Sequence, residues 1–506
     1  MMKGVMIQGT ASDVGKSLIA TALCRLFANE GFKTAPFKSQ NMSNNSYVTM
    51  DGLEIGRAQG LQAEAAKTEA SVWMNPILLK PTSDQLSEVV LLGKAVKTLS
   101  GKGYRDRFYK LGLSVLRQSL VQLRSEYDVL IMEGAGSPVE INLKDRELVN
   151  MKVAEMADVP VFLVADIDRG GVFASIIGTL ALLTELERQR VQGVIINKFR
   201  GDFDLFADGI NWLEKKTNIP VLGVLPYIND HMIDGEDSLS IQQYRNKKMS
   251  GDIDIAVIEL PYASNINDIE PFFYVDDISL RFVRTADEFG KPDAVILPGT
   301  KSTIHDFISL KEKGLDKKIR AFVQNGGFIV GICGGYQMMG QSLVDDSGVD
   351  TGIVGKKERG LGLIDAVTFF QKEKQTIRSQ GTYHPQTGLP REQIEGYEIH
   401  LGRTDFLHPN KRPFFLFDSN REEGYYSENG KIIGTYLHHL FYNDDWRTTW
   451  LNAIRVSKQL PVREKVNIGS LKDERYEQLA NTVRNHLDWE KVKNIVLTWE
   501  NHHENH

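Results

Sequence analysis

The chain has 506 residues, of which 42% are hydrophobic and 25% are charged. These proportions are typical of folded globular proteins, so they exclude a mainly disordered chain and predict roughly two to four domains. A formal net charge of −6 argues against binding nucleic acid through bulk positive charge. The two cysteines, Cys24 and Cys333, cannot form a disulfide framework, and a reducing compartment is the expected setting.

The apolar runs of the sequence have the length of strands. The longest, around 159–165 and 328–333, are shorter than the ~18 to 20 residues that a membrane helix needs. The apolar stretch after Lys3 breaks at Gly9 and is too short for a signal peptide. We therefore expect a cytoplasmic protein with no membrane partner.

The first half of the chain alternates apolar runs with helical patterns. A helix is predicted over 16–30, where Gly31 ends it. Strands are predicted over 5–8, 34–37, 127–132, 159–165, 191–196 and 221–225. Such near-continuous apolar strands are typical of a parallel sheet covered on both faces. The polar, charged stretch from Gln242 to Gly251 predicts a domain boundary.

A second α/β series follows this boundary. Strands are predicted over 253–260, 294–297 and 328–332. The turns that follow the strands 294–297 and 328–332 lie at the carboxyl ends of these strands, where open α/β sheets carry their binding residues. From about Ser457 the pattern is charged and helical, and it ends in a histidine-rich tail that either binds a metal or is a solvated end.

Residues 9–17 read Gly-Thr-Ala-Ser-Asp-Val-Gly-Lys-Ser, after a predicted strand and at the start of a predicted helix. Gly15 allows close backbone approach, Lys16 supplies charge, and the Ser17 hydroxyl can bind Mg²⁺. The spacing departs from the standard phosphate-binding loop by one residue, because Thr10 stands where the first glycine is expected. The alternative is a glycine-rich turn without a ligand.

Charged residues follow three further strands. Glu133 is placed to reach Mg²⁺ directly or through water, with a turn cap as the alternative. Lys38 follows the strand 34–37 and would face a transferring phosphoryl group, unless it is a solvated lysine. Asp166 and Asp168 are equally compatible with metal or substrate contacts and with loop capping.

The segment Gly331-Ile-Cys-Gly-Gly335 lies between a strand and a helical pattern, as a nucleophile elbow does. The helix N-terminus favours the thiolate of Cys333, and the Gly334 N–H is placed to stabilise an oxyanion. A second donor is expected from the turn at Gly299. The alternative, a small buried cysteine, fits poorly between glycines.

A base for this thiol is expected in the segment 434–439, which ends in His438 and His439. A nucleophilic cysteine together with an ATP site predicts glutamine-dependent amide synthesis. One centre would release ammonia from glutamine, and the other would phosphorylate the carboxylate that ammonia attacks. Ammonia must arrive before water, so a protected passage between the domains is expected.

Nine segments extend these motifs: 9–17, 35–46, 54–59, 74–81, 133–138, 166–171, 197–202, 396–404 and 434–438. Together they resemble the cobyric acid synthase family, the glutamine-hydrolysing amidotransferases of cobalamin biosynthesis. The resemblance covers nearly the whole chain up to about residue 455. It implies ATP- and glutamine-dependent amidation of the b, d, e and g carboxylates of a corrinoid, adenosylcobyrinic acid a,c-diamide.

The resemblance also implies an α/β architecture in three parts. A P-loop, dethiobiotin-synthetase-like parallel-sheet domain is expected at 1–245 and a class I glutamine amidotransferase-like domain at 252–456, followed by a helical extension at 457–506. His438 aligns with the family's base, while Leu440 stands where class I enzymes carry the carboxylate that orients it. The orienting group is therefore unidentified, and His439 stands where the family commonly has glycine.

The resemblance further implies the ligands of the first domain. The ATP contacts would be Gly9, Thr10, Ser12, Gly15, Lys16, Ser17, Lys38 and, at the adenine, Asn197. Ser17 and Glu133 would hold Mg²⁺. Corrinoid contacts are expected among Asn41, Arg57, Gln59 and Arg169, although Arg57 and Gln59 also fit an exposed helix face.

Two other functions compete with this one. A cobyrinic acid a,c-diamide synthase shares both chemistries, but the segments 40–42 and 74–76 favour cobyric acid synthesis. A P-loop switch ATPase with an inert glutaminase-like domain would need neither Cys333 nor His438. The sequence leaves open whether the protein forms a homo-oligomer.

Overall fold

The computed structural model describes residues 3–83, 86–96, 102–142, 144–228, 251–408 and 412–500. The chain divides into two compact units, unit 1 with residues 1–240 and 472–506 and unit 2 with residues 241–471. Most of the predicted boundary at 242–251 and the terminal histidines lie outside the described residues. Within the described ranges, no helix has the length and apolar character to cross a bilayer.

A six-stranded parallel sheet forms the centre of unit 1, in the order β12-β11-β10-β1-β9-β2. The strands of the unit are β1 Lys3–Gly9, β2 Thr34–Phe37, β3 Gln40–Met42, β4 Ser46–Val48, β5 Glu54–Gly56, β6 Ile77–Ser83, β7 Leu86–Leu91, β8 Lys94–Val96, β9 Val129–Glu133, β10 Val161–Asp166, β11 Val191–Phe199 and β12 Val221–Pro226. Strands β3, β6, β7 and β8 form a separate small sheet, and β4 pairs with β5. All six predicted strands of this half are confirmed, with ends that differ by at most three residues.

Helices lie on both faces of the large sheet. They are α1 Lys16–Asn29, α2 Arg57–Ala65, α3 Lys102–Glu126, α4 Met151–Ala157, α5 Val172–Leu182, α6 Glu185–Gln189 and α7 Ala207–Thr217. Apolar side chains alternate between two clusters along each central strand, since Met6 belongs to one while Val5 and Ile7 belong to the other. This double burial is the physical reason for the continuous apolar runs of the sequence.

Unit 2 contains a second six-stranded sheet, in the order β14-β13-β15-β16-β24-β23, parallel except for the edge strand β23. A further sheet has the order β18-β17-β19-β21-β22, with β20 paired to β19. The strands are β13 Ile253–Ile258, β14 Ile278–Val283, β15 Ala294–Leu297, β16 Phe328–Ile332, β17 Ser342–Asp345, β18 Lys356–Arg359, β19 Ala366–Tyr383, β20 Gln393–Phe406, β21 Phe415–Phe417, β22 Glu422–Glu423, β23 Tyr425–Tyr426 and β24 Ile432–Thr435. The helices are α8 Thr303–Glu312, α9 Leu315–Gln324, α10 Gly334–Met338 and α11 Asp444–Ser457.

The last two helices, α12 Ile468–His486 and α13 Trp489–Thr498, bury apolar side chains in the cluster that also contains α1. Arg25 of α1 is buried and pairs with Asp473 at 2.5 Å and with Glu477 at 3.0 Å. Residues 472–500 therefore complete unit 1, whereas the sequence predicted a separate extension from 457. The reason is that one face of the sheet needs these helices to exclude water from its apolar side chains.

We predict that Trp489→Ala destabilises unit 1 by about 3 to 5 kcal/mol, because a large buried side chain is lost. The Trp489 ring packs edge-on against Phe27 with centroids 5.1 Å apart, and its indole N–H donates to Glu30 at 3.1 Å. Urea unfolding followed by circular dichroism measures the change, with the exposed Lys491→Ala as control. Equal stability of the two variants would contradict the role of α13 in this core.

Candidate active sites

The loop between β1 and α1 has the geometry of a phosphate-binding loop. Gly15 precedes the helix with a φ of 100°, and a Cβ at this position would lie 2.1 Å from the side-chain nitrogen of Asn197. Only glycine fits there without strain. Lys16 then starts a 14-residue helix whose first N–H groups and dipole favour a bound phosphate.

Two side chains hold this loop in place. Asn197, at the carboxyl end of β11, donates to the Val14 carbonyl at 2.9 Å. Lys16 is buried, and its Nζ donates to the carbonyls of Ala11 at 3.3 Å and Gly136 at 3.4 Å. The structure thus gives Asn197 a contact with the loop itself, whereas the sequence resemblance implied a contact with adenine.

The carboxylate of Glu133 lies at the centre of the unit 1 site. One oxygen accepts from Ser17 Oγ at 2.7 Å and Lys38 Nζ at 3.1 Å, and the other accepts from Gln62 Nε2 at 2.7 Å. Burial raises the pKa of Glu133, but Lys38, Ser17, Gln62 and Lys16 together outweigh burial and hold the pKa below its usual value. Glu133 is therefore ionised, and it does not act as a turn cap. Lys38 is not a solvated lysine. Sequence reasoning missed Gln62.

The oxygen atoms of Ser17 and Glu133 suit a hard cation such as Mg²⁺. Among the described residues, no three His, Cys, Asp or Glu side chains cluster as a metal cage. A Mg²⁺ ion usually completes its shell with phosphate oxygens and water, so a hydroxyl and one carboxylate are a sufficient protein contribution.

Most of the other predicted unit 1 residues are occupied by local contacts. Asp166 pairs with Lys198 at 2.8 Å and accepts the Asp168 N–H at 2.8 Å, which is loop capping. Arg169 is 62% exposed and lies 3.7 Å from both Asp13 and Asp166.

The four residues expected to contact the corrinoid do not form one group. Asn41, Arg57 and Gln59 are buried, so the exposed-face alternative is wrong. Asn41 donates to Gln59 at 2.9 Å. Arg169 instead lies near Asp13 and Asp166. Of the remaining predicted loop residues, Thr10 donates its N–H to Val164, Ser12 is exposed, and Gly9 packs closely against the loop.

Cys333 lies on a strained turn between β16 and α10. Its backbone has φ 51° and ψ −108°, a region that residues with a Cβ rarely adopt. Glycine is required on both sides, because a Cβ at Gly331 would lie 2.3 Å from the Met339 sulfur and one at Gly335 would lie 2.0 Å from the Leu297 carbonyl. The thiol donates to the Ile399 carbonyl at 3.4 Å. The structure therefore has the elbow geometry that the spacing predicts.

His438 is fully buried and contacts both Cys333 and a carboxylate. Its Nδ1 lies 2.7 Å from Asp268 Oδ2, and the other Asp268 oxygen accepts the His439 N–H at 2.8 Å. Burial lowers the pKa of His438, but the charge and hydrogen bond of Asp268, with Cys333, raise it to about 10. A protonated imidazole is therefore next to the sulfur at neutral pH.

Asp268 is the orienting group that the sequence left unidentified. It lies 170 positions before His438, in a 3₁₀ helix over Ile266–Tyr274, while Leu440 is buried among apolar side chains. The available signal was a polar run ending at Asp268 soon after the predicted strand 253–260. The carboxyl ends of parallel strands meet at one edge of a sheet, so the loop after the strand 253–260 is expected to lie at the same edge as Cys333.

His439 contacts a different set of residues. Its Nε2 lies 3.3 Å from the Asn267 side-chain nitrogen, and its ring packs edge-on against Tyr397. Its φ of 65° is in the left-handed region that favours glycine, which is a physical reason for the glycine that the sequence resemblance implies at this position. Between the two histidines, His438 is the one in contact with Cys333.

The two glycines predicted to form an oxyanion hole are both next to this pair. Gly334 is the first residue of α10, where an N–H has no acceptor within the helix. A Cβ at Gly299 would lie 3.0 Å from His438 Cε1 and 3.7 Å from Cys333 Cβ. The turn of Gly299 is held by the Ser264 N–H, which donates to its carbonyl at 2.9 Å.

Comparison with known families agrees with both sites. Residues 5–239 match the model of the CobQ/CobB/MinD/ParA nucleotide binding domain, and residues 254–446 match that of the CobB/CobQ-like glutamine amidotransferase domain. The chain thus combines a nucleotide-binding unit, consistent with ATP use, and a glutamine amidotransferase unit.

Whole-length relatives make the assignment more specific. The cobyric acid synthase of Geobacillus thermodenitrificans is 48% identical over 498 residues, 98% of each chain. Those of Geobacillus kaustophilus and Desulforamulus reducens are 48% identical over 97% of each chain and 47% identical over 98% of each chain. The chain belongs to the cobyric acid synthase family, the glutamine-hydrolysing ligases of cobalamin biosynthesis. This assignment does not favour the diamide synthase or the switch ATPase.

We predict that Asp268→Asn lowers the glutaminase kcat by at least about 100-fold, because the imidazole loses its orienting carboxylate. The pKa of His438 should fall from about 10, since the charge and hydrogen bond of Asp268 no longer oppose the effect of burial. NMR titration of the His438 ring measures this change, and the exposed Asp276→Asn is the control.

The same pair makes stability depend on pH. Because the pKa of folded His438 is raised, its stabilisation is complete below about pH 6.5 and is lost as the pH rises through about 10. The stability difference between the protein and Asp268→Asn should therefore shrink over this range. A difference that grows with pH would contradict the ion pair.

Proposed function

We propose that this chain releases ammonia from glutamine at Cys333 and uses it to amidate the b, d, e and g carboxylates of adenosylcobyrinic acid a,c-diamide, each activated by ATP in unit 1. The relatives named cobyric acid synthase support this substrate. The observation that carries the proposal is the buried His438–Asp268 pair, with a distance of 2.7 Å, in contact with a cysteine on a strained elbow.

In the glutaminase half, Cys333 reacts as the thiolate beside the protonated His438, and its Sγ attacks the side-chain carbonyl carbon of glutamine. The N–H of Gly334 and the turn at Gly299 stabilise the oxyanion. His438 gives its proton to the departing nitrogen, so ammonia leaves and a thioester remains. A water molecule then attacks the thioester while His438 accepts its proton, which releases glutamate and restores the thiolate beside a protonated His438.

Asp268 acts through His438 in this cycle. Its carboxylate holds Nδ1 so that Nε2 is directed to the reacting atoms, and its charge stabilises the imidazolium. Asn265, whose side-chain nitrogen lies 3.3 Å from Nε2, further limits ring rotation. The role of Asp268 is thus orientation and electrostatic support, with no proton transfer to the carboxylate.

In the ATP half, the loop amides, Lys16 and Lys38 bind the phosphates. Ser17 and Glu133 would hold Mg²⁺, which supplies neutralisation of phosphate charge when bound. A substrate carboxylate oxygen attacks the γ-phosphorus and ADP leaves, which gives an acyl phosphate. Ammonia attacks its carbonyl carbon and inorganic phosphate leaves with the C–O bond electrons. Lys38, buried against Glu133, is positioned to stabilise the charge that develops on the transferred group.

The proposal includes a contact of Asn197 with adenine. It also includes contacts of Arg57 and Arg169 with the corrinoid. The exposure of Arg169 suits a group that meets a large substrate. Its guanidinium also matches the carboxylates that a partly amidated corrinoid carries.

We predict that Cys333→Ser abolishes glutamine-dependent amidation and retains amidation with free ammonia, because ammonia bypasses the thiol. Product analysis with each nitrogen source measures both rates, and it also counts the amides formed. Glutamate release that survives in Cys333→Ser would contradict the mechanism. So would loss of the ammonia-dependent reaction in the folded variant.

We predict that Glu133→Gln lowers ATP-dependent amidation with ammonia by about 100-fold or more, since a charged ligand and the partner of Lys38 are lost. Glutamine hydrolysis without ATP should remain, because Cys333 and His438 are unchanged. The two assays on one preparation provide the comparison. Equal loss of both activities would indicate a folding defect and count against a local role.

A further inference from the structure

Apart from Arg57, the proposed mechanism uses no residue of three segments of the sequence resemblance: 40–42, 54–59 and 74–76. In the structure they converge on a series of buried side-chain amides. Gln62 donates to Glu133 at 2.7 Å, Gln59 donates to Gln62 at 3.5 Å, and Asn41 donates to Gln59 at 2.9 Å. All three amides are at most 2% exposed.

The carboxylate sets the direction of every hydrogen bond in this series. Both Glu133 oxygens accept hydrogen bonds in the structure, and Gln62 presents its NH₂ group to Glu133 and its oxygen to Gln59. Gln59 is then oriented the same way, and it presents its own oxygen to the NH₂ group of Asn41. The series ends at Asn41 Oδ1, which is buried and accepts no hydrogen bond from the described residues.

The backbone at Gly56 packs closely against these amides. A Cβ at Gly56 would lie 2.5 Å from Asn41 Nδ2 and 3.1 Å from Gln59 Oε1, so glycine is required for these two amides to meet. Asn75 accepts the Gly56 N–H at 2.8 Å and donates to the Lys38 carbonyl at 2.9 Å. Asn75 thereby ties the Gly56 backbone to that of Lys38, the residue that pairs with Glu133.

We propose that Gln62, Gln59 and Asn41 form an amide relay that positions the carboxylate of Glu133 for Mg²⁺ and nucleotide. The relay rests on the proposed function of Glu133 as a metal ligand. Asn41 and Gln59 are then positioning residues of the phosphoryl-transfer site and do not contact the corrinoid. Residues that orient a metal ligand commonly change metal affinity or activity by about 10- to 100-fold when replaced.

The relay predicts coupling between residues that share no hydrogen bond with each other. Gln62→Leu should weaken the binding of Mg²⁺·ADP to the full-length protein by about 10-fold or more, and Asn41→Leu by less. In the double variant the second substitution should add almost nothing, because Asn41 reaches Glu133 only through Gln59 and Gln62. Isothermal titration calorimetry measures binding without turnover.

Two controls separate positioning from folding. Glu64→Gln changes the same helix, but Glu64 is directed to Lys472 and Tyr476, at 2.6 Å and 3.1 Å. This variant should bind Mg²⁺·ADP as the unmodified protein does. Gln59→Met keeps the length of the side chain and adds no buried charge but loses the donor to Gln62, so it should reproduce the binding defect while Tm and circular dichroism show that the variant is folded.

Kinetics with free ammonia give the second readout. A positioning role lowers kcat and leaves the KM for the corrinoid unchanged. Additive binding defects, or a raised corrinoid KM with normal Mg²⁺·ADP binding, would overturn the relay and make Asn41 and Gln59 substrate contacts. If the unmodified protein binds no Mg²⁺·ADP, the proposed function itself fails, which is distinguishable from failure of the relay.

Discussion

A charged carboxylate can be buried only where cations and hydrogen-bond donors replace the water that it loses, and this requirement organises the chemistry of both units. Glu133 is surrounded by Lys38, Ser17 and Gln62. Asp268 is paired with His438 and the His439 N–H. In each unit the carboxylate controls a second group, a hydroxyl and a lysine in one and an imidazole in the other. The reactive atoms are therefore held in place before any substrate arrives.

Both carboxylates depend on a parallel sheet for their position. The ends of β1, β2 and β9 bring the phosphate-binding loop, Lys38 and Glu133 together. The ends of β15, β16 and β24 do the same for Gly299, Cys333 and His438. A sheet buried on both faces is rigid, so it can support strained turns such as that of Cys333.

Local features of this fold could be predicted from the sequence because they depend on neighbours in the chain. The loop at Gly15 and the elbow at Cys333 each need a strand, a glycine turn and a helix in succession, and the structure has both. Asp268 escaped prediction because it meets His438 across 170 positions, and no spacing rule connects a 3₁₀ helix with a strand end. The burial of Asn41 and Gln59 could not be predicted for a related reason. Polar residues are usually exposed, and only the position of Glu133 makes their burial favourable. The C-terminal helices lacked a signal for the surface that they cover.

The position of the C-terminal helices in unit 1 has a consequence for how the polypeptide is made. Unit 2 is continuous in the chain, whereas unit 1 is closed by residues from 472 onward. A ribosome delivers Val5, Ile7 and α1 before it delivers the residues from 472 onward, so the apolar face that they form must wait until all of unit 2 has been translated before its cover arrives. This face is thus completed long after it is translated, and during that interval it is a surface that a chaperone would be expected to protect.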